Sequence, residues 1–266
     1  MKQAMIFAAG LGTRLRPLTD HMPKALVQVG GVPLLQLVIE RLKKAGFERI
    51  IVNVHHFSQQ IIDFLHAHDN FGIDILISEE RETLLNTGGG IKYAQELFTN
   101  ERILIHNVDI LSNVDLSHFY TSNQEAAATL LVSERKTKRY LLFDDTLKLV
   151  GWTNIETGEV RSPFSDINPA HCKMFAFAGI HNFSPTLFPL MQDYPSSFSI
   201  IDFYLDICKH IPIKAYIDTK LQLLDVGKPE TLSQAAAFMS RWDTPTTSSQ
   251  SHPCLLYTSD AADDSL

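Results

Sequence analysis

Short apolar runs alternate with amphipathic stretches through the first 135 residues, and this alternation restricts the chain to few architectures. A run of about five apolar residues is typical of a strand buried on both faces of a parallel sheet. Stretches with apolar residues every three or four positions predict helices between these runs. Repeated strand–helix–strand units predict an α/β fold with a doubly wound, mostly parallel sheet, whose ligands lie beyond the carboxyl ends of the strands. The predicted strands are Ala4–Ala8, Arg49–Val54, Ile73–Ile77 and Arg102–His106, and the predicted helices are about Leu34–Ala45, Gln59–Ala67 and Thr87–Phe98.

The pattern changes after Ala126, where short strand-like runs are separated by polar turns. These runs predict small antiparallel additions to the sheet. We find no internal repeat and no linker before Trp242, so we expect one domain over residues 1–242. The antiparallel runs are Thr129–Ser133, Tyr140–Phe143, Leu149–Trp152 and Met174–His181; later helices are Pro185–Met191, Ser199–Lys209 and Pro229–Trp242, and later strands are Ile213–Ile217 and Gln222–Val226.

Residues 243–266 differ in composition from the rest of the chain. They contain nine Ser or Thr, four Asp and no Lys, Arg or Gly, and they show no hydrophobic period. We therefore expect a disordered tail. Without its four aspartates the net charge changes from −7 to −3. The run from Cys254 to Asp264 is similar to translated sequencing-adapter read-through, so we interpret the tail as non-native, and a native flexible tail is the alternative.

The overall composition narrows the class of protein. A hydrophobic content of 45% is too high for a disordered chain. No apolar run reaches the roughly 18–20 residues that span a bilayer, and the N-terminus lacks the separate basic and apolar regions of a signal peptide. The acidic balance argues against nonspecific nucleic-acid binding, and three cysteines without C-x-x-C spacing indicate neither a disulfide framework nor a zinc site. We expect a cytoplasmic enzyme that engages neither nucleic acid nor membrane.

The loop after the first strand combines two glycines with three cations. The glycines allow the backbone to approach a bulky anion and to turn its N–H groups toward it. The cations suit a triphosphate. The alternative is a glycine turn with solvated basic side chains, and neither the dinucleotide fingerprint nor the P-loop pattern is present. The five residues are Gly10, Gly12, Arg14, Arg16 and Lys24.

Two further segments carry candidate binding residues. Asn86-Thr-Gly-Gly-Gly-Ile91 predicts a helix start whose free N–H groups lie beside the first loop, the alternative being a glycine-rich helix entry capped by Thr87. Asp109 and Asp225 end two predicted strands, which places their carboxylates at the cleft unless they only cap the following turns. Mg²⁺ commonly uses one or two carboxylates together with substrate phosphate oxygens.

The stretch G-L-G-T-R-L-R-P-L-T, followed by P-K at positions 23–24, resembles the signature of the sugar-1-phosphate nucleotidyltransferases. The similarity extends over residues 1–242 and implies a Rossmann-like nucleotidyltransferase fold. It implies a reaction between a nucleoside triphosphate and a sugar-1-phosphate that releases pyrophosphate. It also implies that Arg14, Lys24 and Asp109 are catalytic, and that Asp109 and Asp225 hold Mg²⁺. The chain departs from the family at Val108, where glycine is usual.

The resemblance extends to the contacts with both substrates. Phe177-Ala-Gly-Ile-His181 resembles the segment that lines the family's sugar pocket, so Gly179 is a candidate sugar contact. Asp202 and Asp206 are further candidates for a sugar hydroxyl, with helix-surface acids as the alternative. The implied nucleotide-binding residues are Ala9, Gly10, Gly12, Thr13, Arg14, Lys24, Glu80, Thr87, Gly88, Gly89 and Asn107.

The sequence alone leaves alternatives for the nucleotide and the sugar-1-phosphate. The chain lacks the E-K-P segment of the long family members, and its triple glycine and L-x-D-V-G ending are most similar to N-acetylmuramate-1-phosphate uridylyltransferases of cell-wall recycling, which implies UTP. Mannose-1-phosphate guanylyltransferases are the near alternative and phosphocholine cytidylyltransferases a more distant one. A non-catalytic nucleotide-binding regulatory protein of the same fold is the alternative from another class.

Overall fold

The computed structural model describes residues 1–240, where helices and strands alternate as the hydrophobic pattern predicts. The helices are α1 (Leu34–Lys44), α2 (Ser58–Ala67), α3 (Asn86–Tyr93), α4 (Leu116–Thr121), α5 (Ile200–Ile207) and α6 (Pro229–Ser240). The strands are β1 (Gln3–Phe7), β2 (Gln28–Val29), β3 (Val32–Pro33), β4 (Arg49–Val54), β5 (Asp74–Glu79), β6 (Ile103–Asn107), β7 (Ile110–Ser112), β8 (Ala128–Ser133), β9 (Arg139–Phe143), β10 (Leu149–Asn154), β11 (Glu159–Arg161), β12 (Lys173–Phe183), β13 (Ile213–Ile217) and β14 (Leu223–Asp225).

A mixed sheet runs through the described part of the chain, with ten strands within residues 1–240. Its main path has the order β11-β10-β9-β12-β6-β1-β4-β5, and β8 joins it by pairing with β12 and β13. Strands β6, β1, β4 and β5 are parallel neighbours, and β12 pairs with β6 in the antiparallel sense. The predicted α/β fold with a doubly wound, mostly parallel sheet and antiparallel additions is confirmed.

Strand β1 shows why the sheet has helices on both faces. Successive residues of a strand point to opposite sides, and Met5 and Ile6 are both fully buried. Ile6 packs in one hydrophobic cluster with α1, whereas Met5 packs in another with Phe203 of α5. Helix α1 ends at Lys44, one residue before the predicted end, and Gly46 follows with a φ of +81°, a conformation that glycine adopts without strain.

Some elements differ from the sequence-based expectations. Pro185–Met191 is a 3₁₀ helix and not an α-helix, because Pro189 inside it has no N–H to donate. Helix α3 ends at Tyr93, and a separate 3₁₀ turn over Gln95–Leu97 takes up the rest of the predicted helix. The elements β2, β3, β7 and β11 were not predicted, since two or three residues are too few to show a strand period. Helix α4 was not predicted either, because its six residues are fewer than two helical turns.

None of the helices within residues 1–240 is both long and apolar enough to cross a bilayer. The predicted tail, residues 243–266, lies outside the described residues. The single domain over residues 1–242 stays a prediction.

Candidate active site

A cleft of about 320 Å³ opens at the carboxyl ends of the parallel strands, where an open α/β sheet places its ligands. The first loop, the loop after β5, the start of α3 and the end of β6 form its walls. The lining residues are Phe7, Ala8, Ala9, Gly10, Leu11, Gly12, Thr13, Arg14, Lys24, Asn53, Glu80, Leu84, Asn86, Thr87, Asn107, Val108, Asp109 and Gly227.

The first loop folds back on itself at Gly12, which has a φ of +65°. A Cβ there would lie 2.9 Å from Thr19 Cγ2 and 3.0 Å from Lys24 Cβ, so only glycine fits. The Thr19 hydroxyl donates to the Gly12 carbonyl oxygen at 2.7 Å and closes the fold of the loop. In contrast, apart from its chain neighbours, no atom of residues 1–240 lies within 4 Å of a Cβ built on Gly10, which leaves open space above the loop.

Lys24 and Asp109 form a hydrogen-bonded ion pair at the floor of the cleft, with their side chains 13% and 11% exposed. Burial by itself would raise the pKa of the Asp109 carboxyl, because burial disfavours the charged form. The adjacent Lys24 ammonium outweighs burial and lowers the pKa of Asp109 below its usual range. Asp109 is therefore ionised in the cleft, with a fixed cation beside it.

A two-stranded sheet of β7 and β14 places Asp225 next to Asp109. β14 pairs with β7 so that Asp225 is opposite Ile110, and the Val226 amide donates to the Asp109 carbonyl oxygen at 2.9 Å. Burial, followed by the negative charge of Asp109, raises the pKa of Asp225 to about 7. Two buried carboxylates thus lie close enough to repel each other.

Arg14 joins this group because Gly227 has no side chain. A Cβ on Gly227 would lie 3.2 Å from Arg14 Nη2 and 2.8 Å from Asp225 Oδ1. The Gly227 amide donates to the same Asp225 oxygen at 2.8 Å. The structure therefore brings Arg14, Lys24 and Asp109 together at one end of the cleft, and Asp225 is buried beside them without being among the lining residues.

The other end of the cleft contains Glu80, which is 2% exposed. Its carboxylate accepts hydrogen bonds from Asn53 Nδ2 and the Leu85 amide, both at 2.8 Å. Asn53 Oδ1 in turn accepts from the Ala8 amide at 2.8 Å, so this chain of bonds ties the first loop to the loop after β5. Burial raises the pKa of Glu80 even though these donors favour its charged form.

The start of α3 differs from the expectation of free N–H groups. The amides of Gly88 and Gly89 donate to the Phe198 carbonyl oxygen at 2.8 and 3.3 Å. A Cβ on Gly88 would lie 2.3 Å from the Phe198 ring, and one on Gly89 would lie 2.1 Å from the Ser196 carbonyl oxygen. The expectation was wrong because a distant segment, residues 196–198, packs onto these two glycines and satisfies their amides.

Thr87 does line the cleft, but its hydroxyl also serves the fold by accepting from the Ile200 amide at 2.9 Å. Gly88 and Gly89 are buried under the 196–198 segment and are not among the lining residues. The loop and strand-end candidates Ala9, Thr13 and Asn107 do line the cleft.

The three sugar-side candidates have different surroundings. Gly179 has a φ of +73°, and a Cβ there would lie 2.9 Å from Asn107 Nδ2, so Gly179 borders the cleft through Asn107. Asp202 pairs with Arg161 at 2.5 Å. Asp206 accepts from the Tyr194 hydroxyl at 2.7 Å. Neither aspartate is among the cleft-lining residues.

Several lining residues were not singled out from the sequence. Asn53 is a polar residue in an otherwise apolar strand, which is a signal that a sequence reading can use. Leu11, Leu84 and Asn86 gave no such signal, because single residues of this kind are common in loops. These residues line the cleft because the first loop and the segment that leads into α3 form two of its walls.

The fold and the cleft define an α/β protein whose site, at the carboxyl ends of the parallel strands, has cations and paired carboxylates at one end. The model of the nucleotidyl transferase family matches residues 3–143, which is more than half of the chain. The protein therefore belongs to the nucleotidyl transferase family.

Relatives within the family were found over part of the chain. It is 46% identical over 110 residues to the N-acetylmuramate alpha-1-phosphate uridylyltransferase of Caulobacter vibrioides, covering 41% of this chain and 46% of the relative. It is 42% identical over 115 residues to the enzyme of the same name from Neisseria meningitidis, covering 43% and 50%. The chain thus spans about half the length of these relatives.

Solved structures share the fold at low sequence identity. HddC from Yersinia pseudotuberculosis, complexed with GMP-PN, superposes with a TM-score of 0.70 at 24% identity, covering 90% of this chain and 100% of that one. A putative glucose-1-phosphate thymidylyltransferase from Bacillus anthracis gives a TM-score of 0.75 at 17% identity, covering 93% and 98%. These likenesses extend the family's fold beyond residue 143.

Proposed function

We propose that this protein is an enzyme that joins a nucleoside triphosphate to a sugar-1-phosphate and releases pyrophosphate. The observation that supports this most is that Arg14, Lys24 and Asp109 line one end of the cleft, with Asp225 buried beside them. Transfer of a nucleotidyl group needs charge neutralisation and alignment more than a protein nucleophile. This end of the cleft offers both.

In the proposed reaction, a phosphate oxygen of the sugar-1-phosphate attacks the α-phosphorus of the nucleotide. A new P–O bond forms as the bond between the α-phosphorus and the bridging oxygen to the β-phosphate breaks, and the electron pair leaves with pyrophosphate. Lys24 stabilises the charge that grows on the α-phosphate, and Arg14 stabilises the leaving group. The Lys24–Asp109 ion pair holds the ammonium in place before the nucleotide arrives.

The carboxylates of Asp109 and Asp225 fit a magnesium ion. Within residues 1–240 no group of three or more His, Cys, Asp or Glu could hold a metal by itself. Mg²⁺ usually takes one or two carboxylates and completes its shell with water and phosphate oxygens. The neighbouring Asp109 charge that raises the pKa of Asp225 is the kind of repulsion that a divalent cation relieves. When bound, Mg²⁺ would neutralise charge on the phosphates.

The sugar side of the proposed site begins at Gly179, which borders Asn107. The absence of a Cβ lets these two segments approach, and we propose that the sugar lies beside them. Asp202 and Asp206 remain proposed contacts for a sugar hydroxyl. Each would first exchange its present partner, Arg161 or Tyr194, for the sugar.

UTP and N-acetylmuramate-1-phosphate are the proposed substrates, because the two relatives at 46% and 42% identity carry that activity in their names. We further propose that the reaction takes place in the cytoplasm, where nucleoside triphosphates are available. A second candidate is the transfer of guanylyl to mannose-1-phosphate. It is supported by mannose-1-phosphate guanyltransferases from Yarrowia lipolytica and Danio rerio, at 29% and 31% identity over about half of this chain.

A pyrophosphate-release assay that crosses the four common nucleoside triphosphates with a panel of sugar-1-phosphates, with and without Mg²⁺, tests the proposal. We expect release with UTP and N-acetylmuramate-1-phosphate, and only with Mg²⁺. Preference for GTP with mannose-1-phosphate would replace the substrate assignment. Nucleotide binding without release from any pair would favour the non-catalytic regulatory protein, although that class typically loses the cations or aspartates that this chain retains.

A further inference from the structure

Asn86 is a cleft-lining residue with an unusual backbone. It begins α3 with a φ of +61°, a left-handed conformation that few residues other than Gly, Asn and Asp adopt readily. Its side chain is half-buried at the end of the cleft opposite the cations. The position thus combines a left-handed backbone with a polar side chain at the wall of the cleft.

The orientation of the Asn86 amide follows from its neighbour. The Thr87 main-chain N–H donates to Asn86 Oδ1 at 2.7 Å, so the oxygen must face the helix. The Nδ2 group, which can only donate, is at the other end of the amide. It makes no hydrogen bond to any residue within 1–240.

Three main-chain donors near Asn86, the amides of Leu85, Gly88 and Gly89, are already used inside the protein. The Leu85 amide donates to Glu80 at 2.8 Å. The amides of Gly88 and Gly89 donate to the Phe198 carbonyl oxygen. The Asn86 Nδ2 group is therefore a side-chain donor that this wall of the cleft offers to a ligand.

The nucleobase is the part of a nucleotide that would meet this wall. Arg14 and Lys24 draw the phosphates to the opposite end of the cleft. Leu84, beside Asn86, lines the cleft with 38% of its surface exposed and offers an apolar contact to a flat ring. A base lying on Leu84 places one polar edge within reach of Asn86.

We propose that Asn86 determines nucleotide specificity by donating from Nδ2 to a carbonyl oxygen on that edge, which is O4 in uracil and O6 in guanine. Cytosine and adenine carry an amino group at the equivalent position, and it would meet a second donor. The proposal rests on the proposed function only in requiring that the cleft binds a nucleoside triphosphate.

The test compares the affinities of UTP and CTP by isothermal titration calorimetry without any sugar-1-phosphate. Asn86→Asp keeps the oxygen that accepts from Thr87 and replaces the donor by an acceptor. We expect the UTP-to-CTP affinity ratio to fall at least about tenfold. Thr83→Asp is the matched control, because it adds the same charge to the same loop at an exposed residue outside the lining. The ratio should stay unchanged there.

An unchanged ratio in Asn86→Asp, or an equal fall in Thr83→Asp, would overturn the inference. If the variant does not fold, a measurement on the wild-type protein can replace it. 4-thio-UTP should bind several-fold more weakly than UTP, since sulfur is the weaker hydrogen-bond acceptor. Equal binding of the two nucleotides would contradict the inference. Binding requires no turnover. If the wild-type protein binds UTP but releases no pyrophosphate, the proposed enzymatic activity is wrong. The role of Asn86 would still be decided by the affinity ratios of the variants.

Discussion

The carboxylate of Glu80 lies directly beside the Cα of Gly90. A Cβ built on Gly90 would come within 2.9 Å of Glu80 Oε1 and 3.1 Å of Asn53 Nδ2. Gly88 and Gly89 have comparable close contacts with the segment at residues 196–198. The triple glycine is therefore explained by three separate packing contacts, each with a different partner, and each contact can be tested by itself.

Gly90→Ala should destabilise the protein although alanine is the better helix former. The added methyl would separate Glu80 from Asn53, both of which are buried. We expect a loss of about 2 kcal/mol, within the usual range for overpacking, measured by urea unfolding. In a Glu80→Ala background the same substitution should cost less, because the clashing oxygen is absent. Equal costs in both backgrounds would show that the two residues are not coupled.

Gly88→Ala and Gly89→Ala should both destabilise the protein, but only one should be rescued. The clash at Gly88 is with the Phe198 side chain, so Phe198→Ala in the same molecule removes it. The clash at Gly89 is with the Ser196 backbone carbonyl, which Ser196→Ala leaves in place. Unfolding free energies of the single and double variants provide the comparison. Rescue of Gly89→Ala by Ser196→Ala would contradict this packing.

Whether a structural feature can be predicted from the sequence depends on how far apart along the chain the interacting residues are. The strands of the parallel part were predicted because each shows its own apolar run, and the cleft follows from the rule for strand ends. The contact of Phe198 with Gly88 was not predicted, since it joins residues about a hundred positions apart. The local sequence pattern cannot indicate a partner so far along the chain. The amides of Gly88 and Gly89 were therefore expected to be free, although they donate to Phe198 in the structure.

The same limit applies to polar partners of acidic residues. Asp202 and Asp206 could be placed on a helix from the sequence, and α5 is there. Their partners are Arg161 on β11 and Tyr194 before the helix. The pairing of Asp202 with Arg161 depends on a three-residue edge strand, β11, that is too short to recognise from pattern alone.

Arg14→Ala should lower kcat by about 10²- to 10³-fold, because the half-buried guanidinium that we propose stabilises developing charge is lost. Arg16→Ala is the natural control, two residues along the same loop. Its side chain is 67% exposed and pairs with Asp20 on the surface of the described residues, so we expect less than a twofold change. Steady-state pyrophosphate release measures both variants. A similar loss in the two would mean that the loop contributes charge in general and that Arg14 has no specific role.

Asp225→Asn should stabilise the protein without metal and weaken its response to Mg²⁺. The asparagine keeps the oxygen that accepts from the Gly227 amide, and it removes the repulsion with Asp109 that raises the pKa of Asp225. We expect a higher melting temperature in EDTA than for wild type. We also expect a much smaller rise when Mg²⁺ and UTP are added together, since one of two proposed metal ligands is gone. A wild-type-sized rise in the variant would remove Asp225 from the proposed metal site.

His181 should make the protein less stable as the pH falls below about 6.5. The ring is 1% exposed, lies between Phe177 and Tyr204, and neither of its nitrogens has a hydrogen-bond partner within residues 1–240. Burial lowers the pKa of His181 from 6.5 to about 3. The unfolded chain takes up the proton first as the pH drops, so stability that is complete above pH 6.5 is lost progressively toward pH 3. His181 alone should lower the free energy of unfolding by about 2 kcal/mol between pH 7 and pH 5.

The test is His181→Phe, which keeps an aromatic ring between the same neighbours. Its free energies of unfolding in urea at pH 7 and pH 5 should differ by about 2 kcal/mol less than those of wild type. His171→Gln, at an exposed histidine, should leave the difference as in wild type, and a His181→Phe variant with the wild-type pH dependence would refute the assignment.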